Sequence, residues 1–462
     1  MGEPVEGLSE GSRYLLLSSY FFFNVAYSIV IPSSIQVMED IAKLGGSKSW
    51  SGAGSGAVIG GYFMCSALGM AVFRHFRRYE HSYKALFTYP CLGRLATSAI
   101  FAFVALHHTV LGAAAPALLI LCRFVEGILN ACQTLCAIEM LTLTSRDRVS
   151  LQASIALLVN LGIGSGILAA GAVEMRGQAG HFGFFPSNWQ SSPASIAMWG
   201  MSVFWLIFFL LGRLLMQESD PVPVAEIKPL YSNCPTAPGT NLEGTRKMLI
   251  CTGIMFVTCR AFVTGGIDSA SMMILETQFG WARGSAAAAV ACCYLSCIVW
   301  HGLFQFLRAR MSDEGLLTVC ISVSTVASLG IFDFAPGETA NVAMLLLADS
   351  IIFPLFMLSS GIVSAYVTRS PLAGDWLFGV ESVFVLLKLF PESLGRGLGP
   401  VAARTFLSGF SRNHYSAMQL SVCVLSSLLW HFAVNPCNIA LEKDVQDDAL
   451  STSAVKSERM RE

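Results

Sequence analysis

Arg123, Glu126, Asn130 and Gln133 recur at i, i+3, i+7 and i+10 in an otherwise apolar stretch, so a helix places them on one face. An Arg and a Glu one turn apart, with two amides beside them, can bind a polar solute or hold and release a proton. They can also serve as a buried ion pair. A second stripe, Arg260, Thr264 and Asp268, has i, i+4, i+8 spacing, and Glu276 follows near the end of the same run. A third comprises Glu381, Lys388, Glu392 and Arg396 at i, i+7, i+11 and i+15. Pro391 lies inside this stripe and predicts a break in its helix. Asp349 stands alone between Leu345-Leu346-Leu347 and Ile351-Ile352. Such an acid is a proton carrier if it faces a water-filled space, and an interfacial residue if it lies near a helix end. Asn24, in the first apolar run, is a further cavity candidate.

These residues sit in a chain that is 54% apolar and only 13% charged over 462 residues. That charged share is about half of the roughly 25% usual for globular proteins. It excludes a cytosolic enzyme, a disordered chain and a nucleic-acid binder, and predicts an all-α polytopic membrane protein. Twelve apolar runs are long enough to span: 14–38, 54–74, 84–106, 113–143, 150–173, 195–216, 247–274, 285–307, 315–335, 341–367, 377–404 and 414–434. The run 377–404 is the most polar. With both termini in the cytoplasm, eighteen Lys and Arg fall on the cytoplasmic side. The opposite side has six, namely Lys43, Lys48, Arg176, Arg283, Arg404 and Arg412. This bias obeys the positive-inside rule.

The predicted organisation is a cytoplasmic N-terminus (1–13), a six-helix half (14–216), a cytoplasmic linker (217–246), a second six-helix half (247–434) and a polar tail (435–462). The linker is rich in proline: Pro221, Pro223, Pro229, Pro235 and Pro238. An internal repeat agrees with the halving. Gly162, Gly164 and Gly166 recur as Gly395, Gly397 and Gly399, an offset of 233 residues that also aligns Gly69 with Gly302 and Arg77 with Arg310. Gly162, Gly166 and Ala170 have the small-xxx-small spacing of packed membrane helices. The fourteen cysteines lie mostly inside apolar runs with no metal or redox spacing and read as packing residues. No Ser-His-Asp set, metal-ligand pattern or phosphate-cradling loop is visible, so neither an enzyme nor a cofactor is expected.

Residues 69–78 read Gly-Met-Ala-Val-Phe-Arg-His-Phe-Arg-Arg. This resembles the loop signature G-x-x-x-D-R-x-G-R-R of the major facilitator superfamily, with Gly69, Arg74, Arg77 and Arg78 matching. Phe73 replaces the family's acid and Phe76 its second glycine. Arg123-Phe-Val-Glu-Gly127 resembles the family's R-x-x-x-G motif. The segment from Arg260 to Thr277 with Phe279-Gly280-Trp281 resembles one branch of the family. So do Tyr27-Ser28-Ile29-Val30-Ile31-Pro32-Ser33 with Leu44-Gly45-Gly46, and Gly395-Arg396-Gly397-Leu398-Gly399-Pro400. That branch holds the lysosomal ceroid-lipofuscinosis-type transporters and the SPX-domain vacuolar phosphate transporters. Only about 13 residues precede the first span, so an SPX domain is not expected.

The resemblance implies twelve helices in two halves and a monomeric carrier in an endolysosomal or vacuolar membrane, with the plasma membrane as an alternative. Its partners would be lipid, a small solute and protons, and no nucleic acid. The family's loop clamps the cytoplasmic end of the bundle, and its Gly-Pro, here Gly399-Pro400, lies in a gating region. Five deep cations (Arg94, Arg123, Arg260, Lys388, Arg396) balance five deep acids (Glu126, Asp268, Asp349, Glu381, Glu392). Because four of the cations lie in the fourth, seventh and eleventh runs, a polar or anionic solute is expected. Glu126 and Asp268 would carry protons, and Arg123 and Arg260 would bind solute or release the protons by pairing with the emptied carboxylates. An anion channel or uniporter and a non-transporting scaffold stand as alternatives.

Overall fold

The computed structural model describes residues 8–43, 50–77, 82–145, 147–178, 193–216, 242–334, 339–372 and 375–443. Among these residues the chain is almost wholly helical and has no strand. In a bilayer no water satisfies backbone N–H and C=O groups, so an apolar run must satisfy them within itself, as a helix does. The helices are α1 (Glu10–Lys43), α2 (Gly52–Arg77), α3 (Tyr83–Leu106), α4 (Ala114–Leu143), α5 (Arg148–Gln178) and α6 (Pro193–Leu215). They continue with α7 (Leu242–Thr277), α8 (Arg283–Arg308), α9 (Asp313–Ile331) and α10 (Thr339–Arg369). Helix α11 runs in three joined pieces, Val380–Lys388, Leu389–Arg396 and Gly397–Gly409, and α12 is Arg412–Lys443.

Eleven of these helices are long and apolar enough to cross a membrane, and the twelfth, α11, is set apart by its charges. The chain is an integral multi-pass membrane protein. Helix ends on the side of the termini carry side-chain caps. Ser9 accepts from the Ser12 amide, Ser82 from Ala85, Asp147 from Ser150 and Ser312 from Gly315. Each satisfies an N–H that the helix itself leaves open.

Several expected boundaries move. Helix α7 begins at Leu242, inside the segment read as linker, and residues 217–241 lie outside the described residues. The tail expected from 435 starts as helix, because α12 passes through a π-helical turn at Trp430–Val434 and continues to Lys443. Cys437 and Leu441 are buried there and hold the extension against the bundle. Arg404 and Arg412, counted as charges facing the opposite side, are 0% and 3% exposed within the protein.

The two sets of six helices pack alike. Helix α1 lies on α5 and α3 on α6, as α7 lies on α11 and α9 contacts α12. Across the halves, α5 packs on α8 and α10, and α2 on α11. The repeated glycines occupy equivalent contacts. Gly162 and Gly166 abut α1 at Phe21 and Val25, and Gly395 and Gly399 abut α7 at Thr258 and Phe262. Gly164 faces Tyr294 of α8, and Gly397 faces Met64 of α2. A Cβ at Gly162 would overlap the Phe21 carbonyl, so these positions set how closely the helices approach. The Gly69–Gly302 pair is not equivalent: Gly69 abuts Ile128, whereas Gly302 faces open space.

Candidate functional site

A cavity of about 170 Å³ lies between the halves. At mid-length it is lined by Tyr20, Asn24, Tyr62, Asn130, Thr264 and Arg396. It then runs past Thr134, Lys388 and Glu392 to Gln152, Thr368 and Phe384, near the ends of α5, α10 and α11 on the side of the termini. Its wall is aromatic at Tyr20, Phe23, Tyr62 and Phe63 and polar along α11.

The polar wall follows from the break at Pro391. Residues Leu389–Arg396 form a π-helical segment, a wider turn that brings residues four apart toward one line. Lys388, Glu392 and Arg396 therefore all face the cavity. Lys388 Nζ lies 2.7 Å from Glu392 Oε1. Arg396 Nη1 donates to Asn24 Oδ1 at 3.3 Å across the halves, and its Nη2 lies 3.9 Å from Asp268 Oδ2. Tyr27 donates to the same Asp268 oxygen at 3.2 Å. Glu392 Oε2, Tyr20 OH, and Arg396 Nε and Nη2 are buried with no hydrogen-bond partner among the described residues. Lys388, Glu392 and Arg396 keep part of their side-chain surface exposed and are the charged groups the cavity offers a bound solute.

The fourth-helix stripe behaves differently. Arg123 is fully buried, pairs with Glu126 at 2.6 Å, and donates to the carbonyls of Val58, Ala26 and Tyr27. Neither Arg123 nor Glu126 lines the cavity. Its expected solute contact is replaced by a strut that ties α4 to α1 and α2. Asn130 and Gln133 accept from Arg94 at 3.3 and 3.0 Å, and Arg94 also donates to Tyr62 OH at 2.5 Å. The Arg94 guanidinium lies 3.6 Å from the Trp205 ring centre. The sequence reading counted Arg94 only as a deep charge. A lone Arg in an apolar run was the signal for its role, and the partners on α2, α4 and α6 needed the fold.

Arg260 leaves its stripe as well. It donates to Ser324 of α9 at 2.8 Å and stacks on Phe356 at 4.0 Å, away from the cavity. Asp268 does not line the cavity and reaches it through Arg396. Asp349 is fully buried and lines no part of the cavity. The side chain of Glu381 lies outside the described residues.

On the face away from the termini the halves are held together by Arg283 of α8. Its Nη1 lies 2.6 Å from Glu174 of α5 and 2.5 Å from Gln36 of α1, and its Nε lies 3.4 Å from Glu276 of α7. Toward the termini, Arg308 of α8 pairs with Asp147 at 3.3 Å, and Arg148 donates to the Thr368 carbonyl. Partial burial opposes ionisation of Asp147, but the Ser150 amide and Arg308 outweigh it and hold its carboxyl below the usual range. No group of three or more His, Cys, Asp or Glu suited to a metal occurs among the described residues.

No protein-family model matches the chain, and no curated protein matches it. Solved structures do match. A D-xylose–proton symporter superposes with TM-score 0.67 at 13% identity over 91% of this chain and 97% of that one. A bacterial homologue of the human lysosomal transporter Spinster, inward-facing and occupied, gives 0.59 at 16% identity over 90% and 95%. The nucleoside transporter NupG gives 0.57 at 12% identity over 90% and 98%. The chain has the major facilitator fold.

At the end of α2, Phe73 is buried and Arg74 lies 3.8 Å from Glu139 of α4. Gly69 allows α2 to close on α4, and Arg77 lies over the Tyr83 ring and bonds its hydroxyl. Arg78 lies outside the described residues. Gly399 and Pro400 pack between α7 and α2, where α11 crosses both.

Proposed function

We propose that the chain is a secondary active transporter that moves a small polar or anionic solute by alternating access. The observation that carries this reading is the cavity between the halves, extending to one face while Arg283 and its partners join the halves at the other. Arg396 is the solute anchor, a role the sequence had given to Arg123 and Arg260. A guanidinium in the cavity wall suits a carboxylate or a similar oxyanion, and the neighbouring Glu392 and Tyr20 suit a hydroxyl on the same solute. The cavity volume of about 170 Å³ suits a small solute.

Opening the opposite face requires separating Arg283 from Glu174 and Gln36 while the cavity closes. Pro354 within α10, Pro400 within α11 and the π segment of α11 are places where these helices can bend. Proton coupling enters through Asp268 and Glu392, the acids nearest Arg396: a proton on either changes how firmly the guanidinium is held, and hence its hold on solute. The same joined face favours a carrier over a channel, which needs a path open at both ends. The Arg and Lys bias supports a cytoplasmic position for both termini, and the sequence resemblance favours an endolysosomal or vacuolar membrane.

The test is flux into proteoliposomes with and without an imposed acid gradient, over phosphate, chloride, small organic acids, sugars and amino acids. Saturable, gradient-driven uptake of one solute is expected. A non-saturating chloride current overturns the carrier reading, and absence of any flux from folded protein supports a scaffold.

A further inference from the structure

Behind the cavity, inside the C-terminal half, lies a set of buried polar groups that the proposed solute path does not use. Asp349 of α10 is fully buried, and neither of its carboxylate oxygens has a hydrogen-bond partner among the described residues. The same is true of Tyr294 OH on α8, Tyr415 OH and both amide atoms of Gln419 on α12, and Asp268 Oδ1 on α7. Arg412, at the start of α12, is 3% exposed. Its Nε donates to the Ile331 carbonyl at 2.7 Å, and its two terminal nitrogens are likewise without partners.

These groups act on one another. Asp349 lies within electrostatic reach of Arg412, Asp268 and the Ser271 hydroxyl, Tyr415 within reach of Asp349, Gln419 and Asp268, and Cys293 of α8 within reach of Asp349. Arg412 in turn feels Asp333 at the chain's surface. They also share a level. Asp349 is 10 residues from the start of α10, Asp268 is 9 from the end of α7, and Gln419 is 7 from the start of α12. At 1.5 Å per residue each lies about 10–15 Å below the face opposite the termini.

A fully buried carboxylate with no partner within hydrogen-bond or ion-pair distance cannot keep its charge cheaply; it takes up a proton or a cation. Arg412 favours the proton, because a metal cation would sit beside a fixed positive charge, and a proton needs no further ligands. We infer that Asp349 is a proton-binding site, loaded from the face opposite the termini and linked through Tyr415 and Gln419 to Asp268 beside the cavity. The proton moves from water to a carboxylate oxygen and leaves by the same O–H bond, so no other reactant is needed. Its route is separate from that of the solute, which the Arg283 cluster bars on that face. The occupancy of Asp349 stands by itself, and its part in coupling rests on the transport reading above.

Infrared spectroscopy of the full chain in lipid at neutral pH reads the carbonyl stretch of a protonated carboxyl directly. D349N is expected to remove one such component, and D268N to shift it. Exchange of sodium for choline is expected to leave it in place. An unchanged spectrum in a D349N protein of native thermal stability overturns the proposal. So does a wild-type component that sodium abolishes and choline restores, which would make Asp349 a sodium site. Should D349N not fold, wild type carrying carbon-13 aspartate must show a shifted protonated-carboxyl band, and its absence overturns the proposal equally. A flux failure with the band intact removes the coupling role and leaves the site.

Discussion

Arg94 and Arg123 in the first half and Arg260 and Arg404 in the second are all fully buried, yet their surroundings differ. Arg123 spends its donors on Glu126 and three carbonyls, and Arg94 on Tyr62, Asn130 and Gln133. Arg260 and Arg404 each make one side-chain hydrogen bond, to Ser324 and Ser34, and keep Nε and Nη2 without partners among the described residues. A buried charge costs several kcal/mol unless it is paired. The first half has met most of that cost in its fixed structure, with Arg94 Nε and Glu126 Oε1 left without hydrogen-bond partners among the described residues. In the second half, the unmet donors and acceptors extend to Asp349, Tyr415 and Gln419 and reach the cavity at Glu392 and Arg396. Groups left unsatisfied in a native interior call for water, an ion or a ligand. The first half therefore reads as the more rigid wall and the second as the half whose polar interior has more partners still to take.

The largest effect expected from this contrast is on stability. Glu126→Gln leaves Arg123 and Arg94 beside a neutral amide in a dry interior and should cost about 3–5 kcal/mol. Thermal or denaturant unfolding in detergent measures it. A loss under about 1 kcal/mol would mean that water reaches the pair and that the first half is not the rigid one.

Arg396→Gln should act on solute binding, with a stability cost of its own because Asp268 beside it is fully buried. A hydrogen bond to a charged group contributes about 1.5–3 kcal/mol, so solute affinity should fall about tenfold to a hundredfold. The assay is saturation of uptake, with unfolding of the same preparation as its control. Equal uptake by wild type and variant would move the solute anchor elsewhere.

Arg283→Gln is expected to open the face opposite the termini. The guanidinium is partly exposed, so the pairs it makes should be worth about 1–2 kcal/mol, near a tenfold shift in population. A cysteine placed at Val37, buried in the present conformation, should then label faster with a membrane-impermeant thiol reagent. Unchanged labelling would show that the helix packing, and not this cluster, holds that face closed.

The smallest effect belongs to Asp147 and Arg308, an exposed pair that joins the halves near the termini. Asp147→Asn should change stability by less than about 1 kcal/mol. The folded carboxyl titrates below its unfolded value, so its contribution is present above the ordinary carboxylate range and is lost as pH falls through the depressed value. A wild-type minus variant difference that persists unchanged at pH 2 would contradict this.

Much of the fold was legible in the residues. Periodic apolar runs, the Arg and Lys bias and the repeated glycines carry helix number, up-and-down order and the likeness of the halves, because a bilayer allows a buried chain so few solutions. The boundaries at Leu242 and Lys443 escaped, since polar residues there still bury one apolar edge on neighbouring helices. Of the candidate residues, Asn24, Asn130, Lys388, Glu392 and Arg396 were found from type and spacing and do line the cavity.

Spacing along one helix also put Arg123, Arg260 and Asp349 on plausible faces, and only the tertiary structure decided what those faces meet. Arg123 meets backbone carbonyls of α1 and α2, Arg260 meets α9, and Asp349 meets α12. Likewise Arg283, Glu174 and Gln36 come from three helices, and nothing local marks them as partners. Charge and periodicity are properties of a segment and can be read from it. Whether a charge is paired or open to a solute is a property of the neighbours, which the chain brings together only on folding.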